Sequence, residues 1–201
     1  ALSLVASAFV VSCATPTAKT SPPGAKSEVQ GSSSLILAAN LRNDKDIQAL
    51  GKKYAISTQG IYSTRAAHQL LAQGGNLIDA AVAASFVLAV ERPHSTGLGG
   101  GGFMLYRQGK TGKTYAIDFR ERAPLSATEK MFLKSDGEPV SGLSLNGPLA
   151  VAVPGFVSGL LEIHSRFGRK PLSLILAPAI KLAQSGFEVY PSLARALKQR
   201  A

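Results

Sequence analysis

The sequence of 201 residues contains no tryptophan, one cysteine and three histidines. A single cysteine excludes an internal disulfide and any metal cluster built from several thiolates. No two of the histidines stand at the H-x-x-x-H spacing of helix-borne zinc ligands, so we interpret all three as surface or structural side chains. We therefore expect neither a metal ion nor an organic cofactor.

Acidic residues are also few: 12 Asp and Glu stand against 22 Lys and Arg, which gives a net charge of +10. Such an excess can indicate nucleic acid or an anionic membrane surface as a partner. The basic residues are scattered, however, and aromatic residues make up only 6% of the sequence. We expect a solvated basic surface and no nucleic-acid partner. The hydrophobic content of 45% predicts a folded domain rather than a disordered chain.

An apolar run lies near the start of the sequence. Residues 2–12 read LSLVASAFVVS, which is too short to span a bilayer as a helix and is typical of an export signal. Val10-Val11-Ser12 before Cys13 resembles the bacterial lipobox, in which small and aliphatic residues precede a lipid-modified cysteine. We interpret residues 1–13 as an export signal with lipidation at Cys13. An ordinary signal peptide with a chance cysteine is the alternative.

The residue after Cys13 and the segment that follows fit a lipid-anchored envelope protein. Ala14, by resemblance to Gram-negative sorting rules, predicts the outer membrane and hence a periplasmic location for the folded part. Residues 14–34 are rich in Pro, Ser, Thr, Gly and Lys without an apolar period, which predicts a flexible tether. Residues 35–50 remain unassigned, so the tether and this segment together cover 14–50.

Residues 51–201 carry the patterns of a folded domain, and we expect that domain to continue beyond residue 201. A strand is predicted over 54–58, a helix from a Ser63 cap to about Gln73, and a second helix over 77–91 capped by Asn76. The second helix is apolar almost all round, which predicts burial. The apolar segments FMLY and TYAIDF on either side of GKTGK predict a β-hairpin.

Further helices are predicted after the hairpin. Ser126–Glu129 has the pattern of a capping box that opens a short helix. Pro154 is expected in the first turn of a helix that runs to Phe167, and Pro178 and Pro191 are each expected to open another. Helices packed against antiparallel strands make an α+β fold.

A glycine-rich run, Gly97–Gly102, formally satisfies G-x-G-x-x-G. It follows a helix and leads into a strand, which is the reverse of the order in a dinucleotide-binding fold. The two GKT segments of the hairpin turn lack the first glycine of a P-loop, and no serine stands in a G-x-S-x-G elbow. Successive glycines favour backbone that passes close to other backbone or to a ligand; a plain flexible loop is the alternative.

Two arginines at the end of the hairpin are the candidate binding residues. Arg120 and Arg122 share one face by the two-residue period of a strand, and Glu121 lies on the other. A guanidinium at a strand end is suited to grip a carboxylate through two hydrogen bonds. The alternative is a surface arginine, or an ion pair of Arg120 with Asp118 or Glu121.

The string PHSTGLGGGGFMLYRQGKTGKTYAIDFRERAP resembles the γ-glutamyltranspeptidase family, whose large subunit carries a glycine run, a hairpin and an Arg-Glu-x-Ala-Pro element. The resemblance continues upstream through QGGNLIDAAVA and downstream through AVAVPG and AQSGF. It covers about residues 53–200, with the motifs in order. Among these motifs, Arg122 stands where many relatives carry an uncharged residue.

The resemblance implies an N-terminal-nucleophile hydrolase fold, a four-layer αββα sandwich, of which these residues form an incomplete, large-subunit portion. It also implies a precursor that cuts itself before a threonine, which lies outside this sequence and becomes the first residue of a small subunit. The expected activity is γ-glutamyl transfer from glutathione and similar compounds to water, amino acids or peptides. Arg120 is expected to hold the donor's α-carboxylate, with Arg122 as an accessory cation.

These residues alone should be inactive, because they supply no catalytic group of that mechanism. Two alternatives stay open at this point. One is a related acylase on the same scaffold, acting on glutaryl or cephalosporin side chains. The other is a non-catalytic envelope lipoprotein.

Overall fold

The structure is a computed structural model, and it describes residues 10–12 and 53–199. Its strands are β1 (Val10–Ser12), β2 (Ala55–Ser57), β3 (Phe103–Arg107) and β4 (Thr114–Asp118). Its helices are α1 (Ile61–Ala72), α2 (Leu77–Glu91), α3 (Phe156–Phe167), α4 (Leu172–Ser185) and α5 (Pro191–Lys198), with a short 3₁₀ turn at Pro148–Ala150. No helix in the described ranges is long and apolar enough to cross a membrane.

Most of the predicted amino-terminal features lie outside the described residues, among them Cys13 and the segment 14–50. The three described residues of the predicted export signal form β1. This strand pairs antiparallel with β2, and Val11 stands opposite Ile56. The predicted strand over 54–58 is confirmed as β2.

Helix α2 is the centre of the core. Eleven of its fifteen residues are buried, so the predicted all-round burial is confirmed. Its alanines allow α1 and α4 to pack close on two sides, and Phe86 meets Phe156 of α3 edge to face with ring centroids 5.6 Å apart. Burial of this kind removes a large apolar area from water, which stabilises the domain at about 25 cal/mol per Å².

The first turn of α2 confirms the predicted Asn76 cap and adds a contact that the sequence pattern did not indicate. The Asn76 side chain accepts hydrogen bonds from the main-chain N–H groups of Ile78 and Asp79, and Asp79 Oδ2 accepts one from Asn76 N at 2.8 Å. The other carboxylate oxygen of Asp79 accepts from the N–H groups of Arg169 and Lys170, at 2.9 and 3.2 Å. This fully buried carboxylate therefore ties α2 to the loop between α3 and α4.

The start of α1 differs from the prediction. The helix begins at Ile61 with Gly60 as its N-cap, so the expected Ser63 cap is wrong. The N–H groups of Tyr62 and Ser63 are instead satisfied by the carboxylate of Glu91, at 3.1 Å each. A Cβ on Gly60 would overlap that carboxylate, so a larger residue there would displace the Glu91 side chain from its capping position.

The predicted hairpin is confirmed, with Leu105 of β3 opposite Ala116 of β4 and the turn over residues 108–113. Met104, Tyr106 and Ile117 point inward and pack against the helical core. On the opposite side Phe103 and Leu105 are 66% and 79% exposed. Helices therefore cover one face of the hairpin, and the predicted α+β class is confirmed.

Helix α3 ends at Phe167 with Gly168 as its C-cap, and α5 begins at Pro191, both as predicted. The start of α3 differs from the prediction: the helix begins at Phe156 with Gly155 as its N-cap, so Pro154 lies before the helix and not in its first turn. Two other predictions are wrong. Residues 124–133 form successive turns rather than a helix, although Met131 N does donate to Thr128 O.

The second error concerns Pro178, which lies inside α4 instead of opening a helix. An interior proline costs about 3 kcal/mol of helix stability. Around it, Ile175, Ala179 and Leu182 of α4 are buried in the core, and that burial offsets the cost.

Candidate functional site

An open groove of about 480 Å³ lies between the end of the hairpin and the first turns of α3. Its floor is backbone, because the segment after β4 runs beside the segment before α3. The polar side chains that line it are Asp118, Arg120, Arg122, Ser158 and Glu162. Both arginines predicted from the sequence line this groove, but β4 ends at Asp118, so neither of them lies in the strand whose two-residue period placed them on one face.

Arg120 lies two residues beyond the end of β4. Its main-chain N–H donates to Asp118 Oδ1 at 2.9 Å, which fixes the turn, and its Nε donates to Glu121 Oε2 at 3.0 Å. The guanidinium carbon also lies 5.6 Å from the centre of the Phe103 ring. The ion pair with Glu121 is thus one of the alternatives raised by the sequence, and it coexists with a position in the groove.

The ion pair does not prevent Arg120 from binding a ligand. The Arg120 side chain is 51% exposed and that of Glu121 is 28% exposed. Exposed pairs of this kind contribute about 0–1 kcal/mol. The guanidinium can therefore exchange Glu121 for the carboxylate of a ligand at little cost.

Arg122 is held by its backbone rather than by its side chain. Its N–H donates to Val153 O at 3.1 Å, and its carbonyl accepts from Val153 N at 2.8 Å. The side chain is exposed on the groove side. Within residues 53–199, its guanidinium has no hydrogen-bond or ion-pair partner.

The glycine run passes directly beside this groove. Gly100 O accepts hydrogen bonds from the N–H groups of Gly155 and Phe156, at 3.1 and 2.9 Å. A Cβ on Gly101 would lie 2.5 Å from Phe119 O. The predicted close backbone approach is therefore confirmed at Gly101, whereas Gly99 has open space around its Cβ position and fits the flexible-loop alternative.

Two further glycines of this region were not singled out by the sequence. A Cβ on Gly155 would overlap Phe119 O, and one on Gly159 would overlap the Phe119 side chain. Both glycines therefore let the start of α3 approach the end of the hairpin. The Gly-x-x-x-Gly spacing at the start of a helical pattern is the signal that indicates such an approach.

Two groups with altered pKa values lie near the end of α2: His94, in the loop that leads to the glycine run, and Tyr190, the N-cap of α5. Partial burial, and then the charge of Arg92, lower the pKa of His94 below its ordinary value. Partial burial raises the pKa of Tyr190, whose ring lies 6.0 Å from that of His94. The Tyr190 hydroxyl donates to Glu91 O at 2.8 Å, which holds α5 against the end of α2.

Metal ligands do not gather anywhere in the part of the chain that the structure describes: no group of three or more His, Cys, Asp or Glu residues is close enough to hold an ion. What the two arginines of the groove offer chemically is the binding of an anion by their guanidinium groups. A carboxylate suits it, since two parallel N–H···O bonds match the planar fork of arginine.

Comparison with known proteins identifies the family of the chain that carries this groove. The sequence model described as gamma-glutamyltranspeptidase matches residues 63–201. The chain belongs to the γ-glutamyltranspeptidase family. It is 48% identical over 136 residues to the glutathione hydrolase proenzyme of Pseudomonas aeruginosa, covering 67% of this chain and 24% of that protein. It is 45% identical over 147 residues to the Escherichia coli glutathione hydrolase proenzyme, covering 73% and 25%. The chain thus spans about a quarter of the length of these curated relatives.

Solved structures of γ-glutamyltranspeptidases and acylases share the fold. The enzyme of Pseudomonas nitroreducens, complexed with L-DON, matches with a TM-score of 0.69 and 43% identity, covering 73% of this chain and 43% of that one. The cephalosporin acylase of Bacillus halodurans matches with a TM-score of 0.60 and 34% identity, covering 68% and 25%. The predicted family and the predicted fold class, an α+β N-terminal-nucleophile hydrolase, are both confirmed.

Proposed function

We propose that the protein transfers γ-glutamyl groups from glutathione and other γ-glutamyl compounds to water, amino acids or peptides. The observation that carries this proposal is the exposed guanidinium of Arg120 in a groove beside the glycine run. Arg120 binds the α-carboxylate of the γ-glutamyl donor in place of Glu121. Such a charge-assisted pair contributes about 1.5–3 kcal/mol of binding.

The covalent chemistry is supplied by a threonine outside these 201 residues. Its hydroxyl attacks the γ-carbonyl carbon, and its own α-amino group accepts the hydroxyl proton. The amide C–N bond then breaks, and the leaving amine takes up the proton, which leaves a γ-glutamyl ester on the threonine. Water or an acceptor amine attacks that ester in a second step, so one difficult reaction becomes two easier acyl transfers.

The partner that brings the threonine is the protein's own small subunit, formed by self-cleavage. Support for a partner comes from the outer face of the hairpin, where Phe103 and Leu105 are 66% and 79% exposed. Exposed apolar patches of this kind mark contact surfaces. Residues 1–201 without that partner are therefore expected to be inactive.

A periplasmic location, with a lipid anchor in the outer membrane, is proposed from the sequence alone. The apolar residues 2–12, the following Cys13 and the Pro- and Ser-rich segment 14–34 support it. Replacing Cys13 with Ser should release the protein from the membrane fraction and abolish labelling by a fatty-acid probe. Unchanged labelling of the C13S variant contradicts lipidation at this residue.

The related acylase is the second candidate, because the cephalosporin acylase shares the fold. The two candidates differ in what the acyl donor must carry. A γ-glutamyl donor has an α-carboxylate and an α-amino group, whereas a glutaryl donor lacks the amino group. If glutaryl anilide is cleaved as fast as γ-glutamyl anilide, the acylase assignment replaces the one proposed.

If the complete reading frame has no threonine at a cleavable junction, the assignment as a non-catalytic lipoprotein replaces both enzyme assignments.

The test of the proposed function uses the protein expressed from its complete reading frame. Replacing Arg120 with Ala should raise KM for γ-glutamyl-4-nitroanilide about 10- to 100-fold, as expected for a lost charge-assisted pair, while self-cleavage persists. Arg107, an exposed arginine at the far end of β3, is the matched control, and its replacement with Ala should leave KM unchanged. An unchanged KM in the R120A variant contradicts the assignment.

A further inference from the structure

Arg122 presents an uncompensated positive charge to the groove that Arg120 also lines. Arg120 has an acidic partner in Glu121, whose carboxylate lies 3.0 Å from its Nε. The guanidinium of Arg122 has no such partner within residues 53–199. A cation that folding leaves unpaired in an open groove is available to an anion from solution.

The acidic side chains that line the same groove form their hydrogen bonds and ion pairs with residues other than Arg122. Asp118 Oδ1 accepts a hydrogen bond from the Arg120 N–H at 2.9 Å. Glu162 lies 3.9 Å from Nε of Arg166, one turn further along α3. Neither carboxylate forms a salt bridge with Arg122, so the groove retains a site for a ligand anion next to the site at Arg120.

The position of Arg122 is fixed by the backbone. Its two main-chain hydrogen bonds to Val153, at 3.1 and 2.8 Å, anchor the Cα at the floor of the groove. Two residues along an extended chain separate it from Arg120 by about 6.6 Å, given a rise of about 3.3 Å per residue. The two guanidinium groups can therefore engage two carboxylates of one elongated ligand.

We propose that Arg122 determines substrate specificity by binding a second carboxylate of the γ-glutamyl donor, on the side of the scissile amide away from the glutamyl α-carbon. The preferred donors are then γ-glutamyl compounds whose leaving amine is itself anionic, such as γ-glutamyl peptides with a free carboxyl terminus. This inference rests on the proposed function, because it assumes that Arg120 holds the first carboxylate.

Two donors that differ in one carboxylate separate this role from a general effect on the enzyme. They are γ-glutamyl-4-nitroanilide and γ-glutamyl-3-carboxy-4-nitroanilide, assayed for hydrolysis by the protein from its complete reading frame. Replacing Arg122 with Gln should raise KM for the carboxylated donor relative to the uncarboxylated one by about tenfold, the factor expected for a lost charge-assisted hydrogen bond. Added salt should reduce the preference of the unmodified protein, since the site is exposed.

Two control variants accompany the R122Q variant. Arg122→Lys keeps the charge but not the planar fork, and should retain part of the preference. Arg107→Gln removes a cation of the same hairpin that does not line the groove, and should leave the ratio of KM values unchanged.

Three outcomes overturn the inference. The first is a ratio of KM values that does not change in R122Q, and the second is an equal rise in KM for both donors. The third is a change confined to KM for an added amino-acid acceptor, which would place Arg122 in the acceptor site instead. In all three the enzyme still cleaves γ-glutamyl anilides, whereas failure of the proposed function appears as no cleavage of either donor by the unmodified protein.

Discussion

Glu91, the last residue of α2, accepts a hydrogen bond from the main-chain N–H of Ser63, in the first turn of α1, at 3.1 Å. Its other oxygen accepts from Tyr62 N at the same distance. A side chain from the end of one helix thus caps the beginning of another, and both Glu91 and Ser63 are buried. The negative charge also lies at the positive end of the α1 dipole.

Replacing Glu91 with Ala should lower the free energy of unfolding by about 2 kcal/mol, because two N–H groups, one of them buried, lose their acceptor. Glu91→Gln keeps one acceptor oxygen and should cost less. Chemical denaturation of the processed protein measures both. The matched control is Glu188→Ala, since Glu188 is exposed and makes no described contact. Equal stabilities of E91A and E188A contradict the capping role.

Replacing Asp79 with Asn should lower the free energy of unfolding by about 2–4 kcal/mol, because the fully buried carboxylate accepts from three main-chain N–H groups. The NH2 group of the new asparagine would face one of those main-chain N–H groups, so two hydrogen-bond donors would oppose each other. Asp136→Asn is the control, since that exposed side chain accepts one local bond from Glu138 N. Thermal unfolding of the processed protein measures the difference, and equal melting temperatures for the two variants contradict this account.

These two carboxylates show which part of the fold the sequence predicted. The cap of α2 was predictable because Asn76 and Asp79 are three residues apart and obey a local rule. The cap of α1 was assigned to Ser63 by the same local rule, and the actual acceptor is Glu91, 28 residues further along the chain. No periodicity connects those two positions, because the contact exists only after α1 and α2 have packed.

In the candidate site, too, the features set by a local pattern were predictable, and those that depend on packing were not. The strand period placed Arg120 and Arg122 on one face, and the structure brings both to one groove. The other wall of that groove, which includes Ser158 and Glu162, comes from α3 and was not indicated by any local pattern. Likewise, the local sequence predicted that a helix starts at Pro178, yet the burial of Ile175 and Ala179 keeps α4 continuous through that residue.

Replacing Gly155 with Ala should lower stability by about 1–3 kcal/mol and raise KM for γ-glutamyl donors, because the new Cβ would overlap the carbonyl oxygen of Phe119, next to Arg120. The backbone of Gly155, with φ of −109°, is accessible to alanine, so the effect is steric. Gly99→Ala is the matched control in the same region, since nothing lies within 4 Å of its Cβ position. Thermal unfolding and donor kinetics should both separate the two variants, and identical behaviour contradicts the close approach.

Replacing Leu105 with Lys should prevent assembly of the processed enzyme if the outer face of the hairpin packs against the small subunit. Leu105 is 79% exposed within the described residues, so the substitution by itself should not disturb the helical core. A lysine pressed against an apolar partner would carry a charge into a low-dielectric contact, which costs several kcal/mol unless it finds a counter-ion.

The matched control for this last variant is Leu125→Lys, because Leu125 is fully exposed in a turn that is not part of β3 or β4. Gel electrophoresis after expression reports self-cleavage, and size-exclusion chromatography reports whether the two products stay together. We expect loss of the paired, processed form in L105K and its retention in L125K. Normal processing and pairing in both variants would mean that the exposed face of the hairpin remains in solvent, and the partner surface would then lie elsewhere on the domain.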